Sequence, residues 1–205
     1  MGVTSTDKLV FAPSQNRLHL FRDSTDVWES ISDGTPFLAT ADTDVIDIAF
    51  LETSSTYVAL FAHSSRVLKQ WKPGDIAVTA VTIAPGALNI PTAKSICIAG
   101  SRVIALVAPH TIVWSRILDY TNFNALAIAK RAQTTDTGVC VRSLSALSFV
   151  LYKEYSIHPE RAQAGLDEGS VFAFAEPIIV EGPAGIYAVV EVEGRHFYMT
   201  RSGRI

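Results

Sequence analysis

The sequence predicts an all-β fold, a β-propeller or partial propeller of about four four-stranded blades, from three observations. Short apolar runs rich in β-branched and aromatic residues recur along the whole chain, with turn-forming residues between them. Only one segment, 123–132, has a helix-favouring composition. A longer period is superposed on the short one, because Trp28, Trp71 and Trp114 stand 43 residues apart each time. One more step of that length reaches Ile157, which, like the tryptophans, follows an apolar run and a polar turn.

Taken in order, the expected strands begin with Lys8–Ala12, Arg17–Phe21, Val45–Phe50, Tyr57–Ala62, Val67–Trp71 and Ile76–Ile83. Ser95–Ala99, Val103–Val107, Thr111–Ser115, Val139–Arg142 and Ser148–Tyr152 follow, then Val171–Ala175, Tyr187–Val192 and His196–Thr200. Ser, Asp, Pro and Gly fall between them, as strands joined by tight turns require. A spacing of 40–50 residues with four strands per unit is the length of a propeller blade. A single blade cannot bury both of its faces, so neighbours stacked around an axis do it, and a large residue is expected at the same place in each unit. About four units fit into one domain, 1–205. A further copy opens at Gly194-Arg195-His196 and is not completed, so the chain is expected either to be truncated at its C-terminus or to be completed by another chain.

Composition narrows the function. Of the residues, 48% are hydrophobic and 18% charged, and the mean hydropathy is +0.25, which argues against disorder and hints at contacts with other subunits. A net charge of -3 and a pI near 5.9 speak against a dedicated nucleic-acid surface, which would carry clustered cations to displace counterions. Lys130-Arg131 is an isolated basic pair. Cys97 and Cys140 lack metal or redox spacing and sit in apolar runs, so they read as buried free thiols. The N-terminus has no signal-peptide pattern, and the longest charge-free stretch, Ile76–Ala93, is broken by Pro85, Gly86 and Pro91, so no membrane anchor is expected.

Candidate chemistry is sparse. No nucleophile elbow, zinc-protease, phosphate-loop or dinucleotide-binding motif is present. No catalytic, cofactor-binding or metal-binding residue is therefore assigned, and no cofactor is expected. His19, His63, His110, His158 and His196 are spread one to a repeat, whereas a metal site needs ligands that converge. Asp42, Asp44 and Asp47 lack the rest of a calcium loop and read as a solvated turn ahead of a strand. A sialidase-like site would draw on Arg17, Arg66, Arg102 and Arg195, but each lies at a turn-to-strand junction and reads as solvated.

The segment Ile112-Val113-Trp114-Ser115-Arg116-Ile117-Leu118-Asp119-Tyr120-Thr121-Asn122-Phe123 resembles a recurring signature of bacteriophage tail propeller proteins. In those proteins a strand ending in Trp-Ser runs into a short loop with Asp, Thr and an aromatic residue. Tyr152–Ile157, Val171–Phe174, Gly182–Ile186, Gly194–Met199 and Ser202-Gly203 are similar to the family's later segments in order and spacing, and Leu9–Phe21, Val27–Ser32, Ile46–Phe50 and Lys69–Trp71 match the earlier blades more loosely. The resemblance implies a structural, non-enzymatic virion protein of the tail nozzle, hub or packaged-DNA stabilisation type, assembled in the host cytoplasm. It implies a self-associated ring, commonly of six copies, below the portal and adaptor, which meets packaged DNA only by non-specific passage. Family members are usually longer. Two other functions remain open at this point. A carbohydrate- or receptor-binding module would present Trp114, Tyr120 and Phe123 on an exposed loop face. A glycoside hydrolase would set Asp119 or Glu154 in a facing carboxylate pair.

Overall fold

The computed structural model of the chain describes residues 9–14, 17–31, 45–53, 56–81, 90–123, 130–131, 134–163 and 171–205. Asp42, Asp44 and most of segment 123–132, whose composition favours a helix, lie outside them; of that segment Phe123 and Lys130–Arg131 are described, and the latter form a strand.

Among the described residues, five antiparallel sheets follow one another along the chain. Sheet 1 holds β1 (Leu9–Ser14), β2 (Arg17–Arg22) and β3 (Val27–Ser30) in that order. Sheet 2 holds β4 (Ile46–Glu52), β5 (Tyr57–His63), β6 (Arg66–Trp71) and β7 (Thr79–Ala80). Sheet 3 holds β8 (Ser95–Ala99), β9 (Arg102–Val107), β10 (Thr111–Trp114) and β11 (Lys130–Arg131). In sheet 4, β12 (Gly138–Ser145), β13 (Ser148–Lys153) and β14 (Ser156–Ala162) are followed by an outer strand in two pieces, β15 (Phe172–Phe174) and β16 (Ile178–Ile179), both paired with β14. After a single 3-10 turn, Ile186–Ala188, β17 (Val189–Val192) and β18 (Arg195–Tyr198) make sheet 5.

The sheets stack face to face because their middle strands are apolar on both sides, and strand side chains alternate between faces. On β5, Ala59 and Phe61 pack against Leu18 and Leu20 of sheet 1, whereas Val58, Leu60 and Ala62 face sheet 3. On β9, Val103 and Ala105 point back to sheet 2, and Ile104 and Leu106 point forward to Val141, Phe149 and Leu151 of sheet 4. On β13, Val150 and Tyr152 continue the series toward Val189 and Tyr198 of sheet 5. The first strands of sheets 2, 3, 4 and 5 all line one cleft, so these four sheets present their first strands to a shared centre. This radial arrangement of four-stranded units is a β-propeller.

The evenly spaced tryptophans all fall on the third strand of their sheets, but Trp28 and Trp71 point to the preceding side and Trp114 to the following one. Trp28 is the second residue of β3, pairs with Phe21 and points away from sheet 2. Trp71 ends β6 opposite Ala59 and packs on sheet 1, its ring centroid 5.5 Å from that of Phe11. Trp114 ends β10 opposite Ile104 and faces sheet 4, 5.4 Å from Phe172. The hairpins ahead of them differ in length, and β5 and β6 carry a register shift between Phe61 and His63. Side chains alternate with period two, so such shifts turn a constant spacing into opposite faces.

Four strands stand outside the expected apolar pattern, the short β11 and β16 together with β3 and β14. β3 is exposed throughout. β14 buries Ser156, His158 and Glu160 on one face and so carries no apolar alternation. Gly182 crosses close over the turn that follows β13, where its amide donates to the Glu154 carbonyl at 2.9 Å. A Cβ there would lie 1.7 Å from the Lys153 carbonyl oxygen, so only glycine fits without backbone movement.

Candidate functional site

The first strands of the sheets converge on a cleft of about 480 Å³, lined among others by Asp47, Ile48, Cys97, Ile98, Arg142 and Glu191. Its floor is a polar cluster built around Asp47. The sequence places Asp47 in a solvated turn, but it lies inside β4, on the face turned to sheet 3, and is 5% exposed. Two groups of β8 reach it: the Ser95 hydroxyl donates to Oδ2 at 2.6 Å and the Ile96 amide at 3.0 Å. From β12 the Arg142 guanidinium donates to the same oxygen at 2.7 Å. Ser95 Oγ also accepts the Val141 amide at 3.0 Å, so one serine joins sheets 2, 3 and 4.

Arg142 also donates to the Val141 and Ile186 carbonyls. Burial acts to lower its affinity for the proton, but the neighbouring Asp47 carboxylate outweighs this and the guanidinium stays charged. Around this pair, Tyr187 donates to the Ile46 carbonyl and links the segment before sheet 5 to the start of sheet 2. His196 lies between the Tyr152 hydroxyl, 2.8 Å from Nδ1, and the Ser143 carbonyl, 2.6 Å from Nε2, and joins sheet 5 to sheet 4. These polar side chains therefore bond sheet to sheet. A buried carboxylate that accepts three donors on Oδ2 and the Ile48 amide on Oδ1 leaves little capacity for a ligand.

A second polar cluster lies where the segment before β12 meets β13 and β14. Lys153, wholly buried, donates to Thr134 Oγ1 at 2.7 Å and stands 3.1 Å from Asp136 Oδ1. Ser156 Oγ is 3.0 Å from both Asp136 oxygens and 3.0 Å from His158 Nε2. Serine, histidine and aspartate meet here, but the aspartate holds the serine and not the imidazole. Histidine Nδ1 has no hydrogen-bond partner among the described residues, so the orienting contact of a catalytic triad is missing. Burial acts to raise the Asp136 carboxyl, but hydrogen bonds from Thr134, the Tyr155 amide, Lys153 and Ser156 together hold it far below the ordinary range. Burial, reinforced by the Lys153 charge, lowers the pKa of His158.

The other residues weighed in the sequence are dispersed. Arg102 is not solvated: it is buried and donates to the Ser115 carbonyl at 2.9 Å, whereas Arg66 and Arg195 are exposed and the Arg17 side chain is outside the described set. Asp119 accepts from the Thr121 amide and hydroxyl within its own turn, and Glu154 pairs with Arg201 at 2.8 Å, so neither faces another carboxylate in a described pair. Trp114, Tyr120 and Phe123 are buried, so these three rings form no exposed aromatic face. No group of three or more metal-ligating side chains converges among the described residues. Cys97 and Cys140 are buried free thiols, as expected, and burial raises both, Cys140 to about 12. Among the described residues no helix is long and apolar enough to cross a membrane.

The class this geometry defines is a β-propeller whose centre is held by a buried ion pair. No family model matches the sequence, and no curated protein matches it. Among solved structures it is similar to YCF48 bound to D1 peptide, with a TM-score of 0.50 and 12% identity over 81% of this chain and 49% of that one. It is similar also to Raptor from Chaetomium thermophilum, with a TM-score of 0.53 and 11% identity over 83% of this chain and 15% of that one. The chain thus spans about half the length of the YCF48 chain and a smaller part of Raptor. At such identities the likeness is one of fold.

Proposed function

We propose that this chain is a structural, non-catalytic component of a bacteriophage tail, of the nozzle or hub kind, that works by assembling with copies of itself and with portal and adaptor proteins. One observation carries the assembly part of this reading. Polar groups at the centre are spent on holding sheets together, while large apolar side chains stand exposed on both end sheets, including Trp28, Val190 and Phe197. A body rigid at the centre and apolar at its ends is suited to packing against other subunits. The tail assignment rests on the resemblance of Ile112–Phe123 and the segments after it, and passage of DNA through the assembled ring would involve few phosphate contacts in a chain of net charge -3.

The test is location. An antibody raised against the chain is applied to particles released from cells that carry its gene at the native locus. Gold at the tails of virions is the expected result. Signal confined to cell debris, or a purified chain that hydrolyses glycosides, overturns the proposal.

A further inference from the structure

Sheets 2, 3 and 4 each have a neighbouring sheet on either face, yet their loops carry apolar tips in open solvent at one end of the molecule. After β10 the chain makes a tight turn in which the Asp119 amide donates to the Arg116 carbonyl at 3.3 Å. Its two central residues are Ile117 and Leu118, 55% and 51% exposed. Leu147, 51% exposed, lies in the turn between β12 and β13, and Ile76, 92% exposed, lies between β6 and β7. The Gly100 amide donates to the Ala146 carbonyl at 2.8 Å, and the Leu118 amide to the Ser101 carbonyl at 2.8 Å. The Lys72 ammonium lies 5.9 Å from the centre of the Tyr120 ring. These contacts tie the loops of the three sheets together at that end.

The turn at Leu118 is strained. Its φ is +55°, in the left-handed region that Gly or Asn fills at the third position of such turns and that a leucine side chain resists. The other non-glycine residues with positive φ among the described residues, Asp26, Ser101 and Glu193, are polar. A leucine held this way with half its surface in water adds little to the core, and strain that packing does not offset points to a function. The charges beside the tips are basic. Arg116 precedes Ile117, and Arg161 stands opposite Ser148 next to Leu147; both are exposed, and neither guanidinium has a carboxylate partner among the described residues. Asp119 is held by the Thr121 amide and hydroxyl, and Asp75 by the Lys72 amide. Separate protrusions on three sheets would each need a matching pocket in a protein partner. The boundary between headgroups and acyl chains accepts them together, and its phosphates are complementary to the two arginines.

We propose that this end of sheets 2, 3 and 4 docks on a lipid bilayer, with Ile76, Ile117, Leu118 and Leu147 entering the acyl boundary and Arg116 and Arg161 at the level of the phosphates. Lipid docking stands apart from the tail assignment: a chain absent from virion tails that binds vesicles keeps it.

Flotation of the purified chain with vesicles tests it, using phosphatidylcholine alone and phosphatidylcholine mixed with phosphatidylglycerol. The wild type is expected to float with both, and more strongly with the anionic mixture. Leu118→Asn suits the left-handed turn, so its melting temperature should equal or exceed that of the wild type, while its partitioning onto both vesicles falls about tenfold. Leu147→Ser should weaken partitioning in the same way without loss of fold. Arg116→Gln should lower binding about fivefold on the anionic vesicles and leave phosphatidylcholine nearly unaffected. A wild type that floats with neither vesicle overturns the proposal, as do folded Leu118→Asn and Leu147→Ser chains that float like the wild type. A Leu118→Asn chain that melts lower and still binds assigns the side chain to the fold, which overturns it equally.

Discussion

Asp47 and Asp136 are both carboxylates held by one cation and by hydroxyl and amide donors, yet they secure very different amounts of structure. Asp47 binds three sheets at once, because its partners Ser95, Ile96 and Arg142 come from β8 and β12. Its carboxylate is 7% exposed and its partner Arg142 19%, so its weight comes from the number of sheets it joins. Asp136 ties one connecting segment to the turn between β13 and β14, and although its partner Lys153 is wholly buried, the cluster holds no second sheet among the described residues. The same chemistry is a keystone at the centre and a local strap at the periphery.

Substitutions on both sides sharpen or break that contrast. Replacing Asp47 by alanine strands the Arg142 charge and the Ser95 hydroxyl, and should cost about 3–5 kcal/mol in denaturant unfolding, the range for breaking a buried pair. If the pair acts as a unit, Arg142→Met in the same chain should restore part of that loss, and strict additivity of the two would break the idea. Lys153→Met should cost less, about 1–2 kcal/mol, because Asp136 keeps its bonds to Ser156 and the Tyr155 amide. Equal losses for Asp47→Ala and Lys153→Met would erase the distinction between centre and periphery.

Acid should act on the peripheral cluster. His158 has a folded pKa below its unfolded value, so the unfolded chain takes up the proton first and stability falls as pH drops through the unfolded pKa of about 6.5. Asp136 has a depressed folded pKa, so its contribution is complete above the unfolded value near 3.8 and fades only in stronger acid. Thermal melts between pH 7.5 and 5 should therefore show a decline in the wild type that His158→Gln flattens. An identical pH profile in the variant would dismiss His158 as its source. The smallest effect is expected at the thiols: Cys97 and Cys140 should resist maleimide in the native protein and react at once in denaturant, and rapid native labelling of either would contradict its burial.

How much of this was legible in the sequence depends on the residue. The apolar middle strands β5, β9 and β13 announce themselves through β-branched and aromatic runs, and the blade-length period follows from their recurrence. The tryptophans gave that period because each lies on the third strand of its sheet, while hairpin length and bulges decide which face each one meets. Asp47 was misjudged because a carboxylate beside Asp42 and Asp44 looks solvated until a distant arginine is brought to it, and Arg142 lies 95 positions away. β14 was missed because its buried face is polar: Ser156 and His158 are satisfied by Thr134 and Asp136, from a segment with no periodic signal of its own. Long-range pairing of polar groups leaves no local trace.

The bond from Tyr187 to the Ile46 carbonyl spans 141 positions of the chain. Sheets 2, 3 and 4 can each form from neighbouring hairpins, but this tether has to wait until the last of them is in place. Ordering so long a loop is entropically expensive, so the tether belongs to the late side of the folding barrier. Its removal by Tyr187→Phe should accordingly hasten unfolding and leave the refolding rate nearly unchanged.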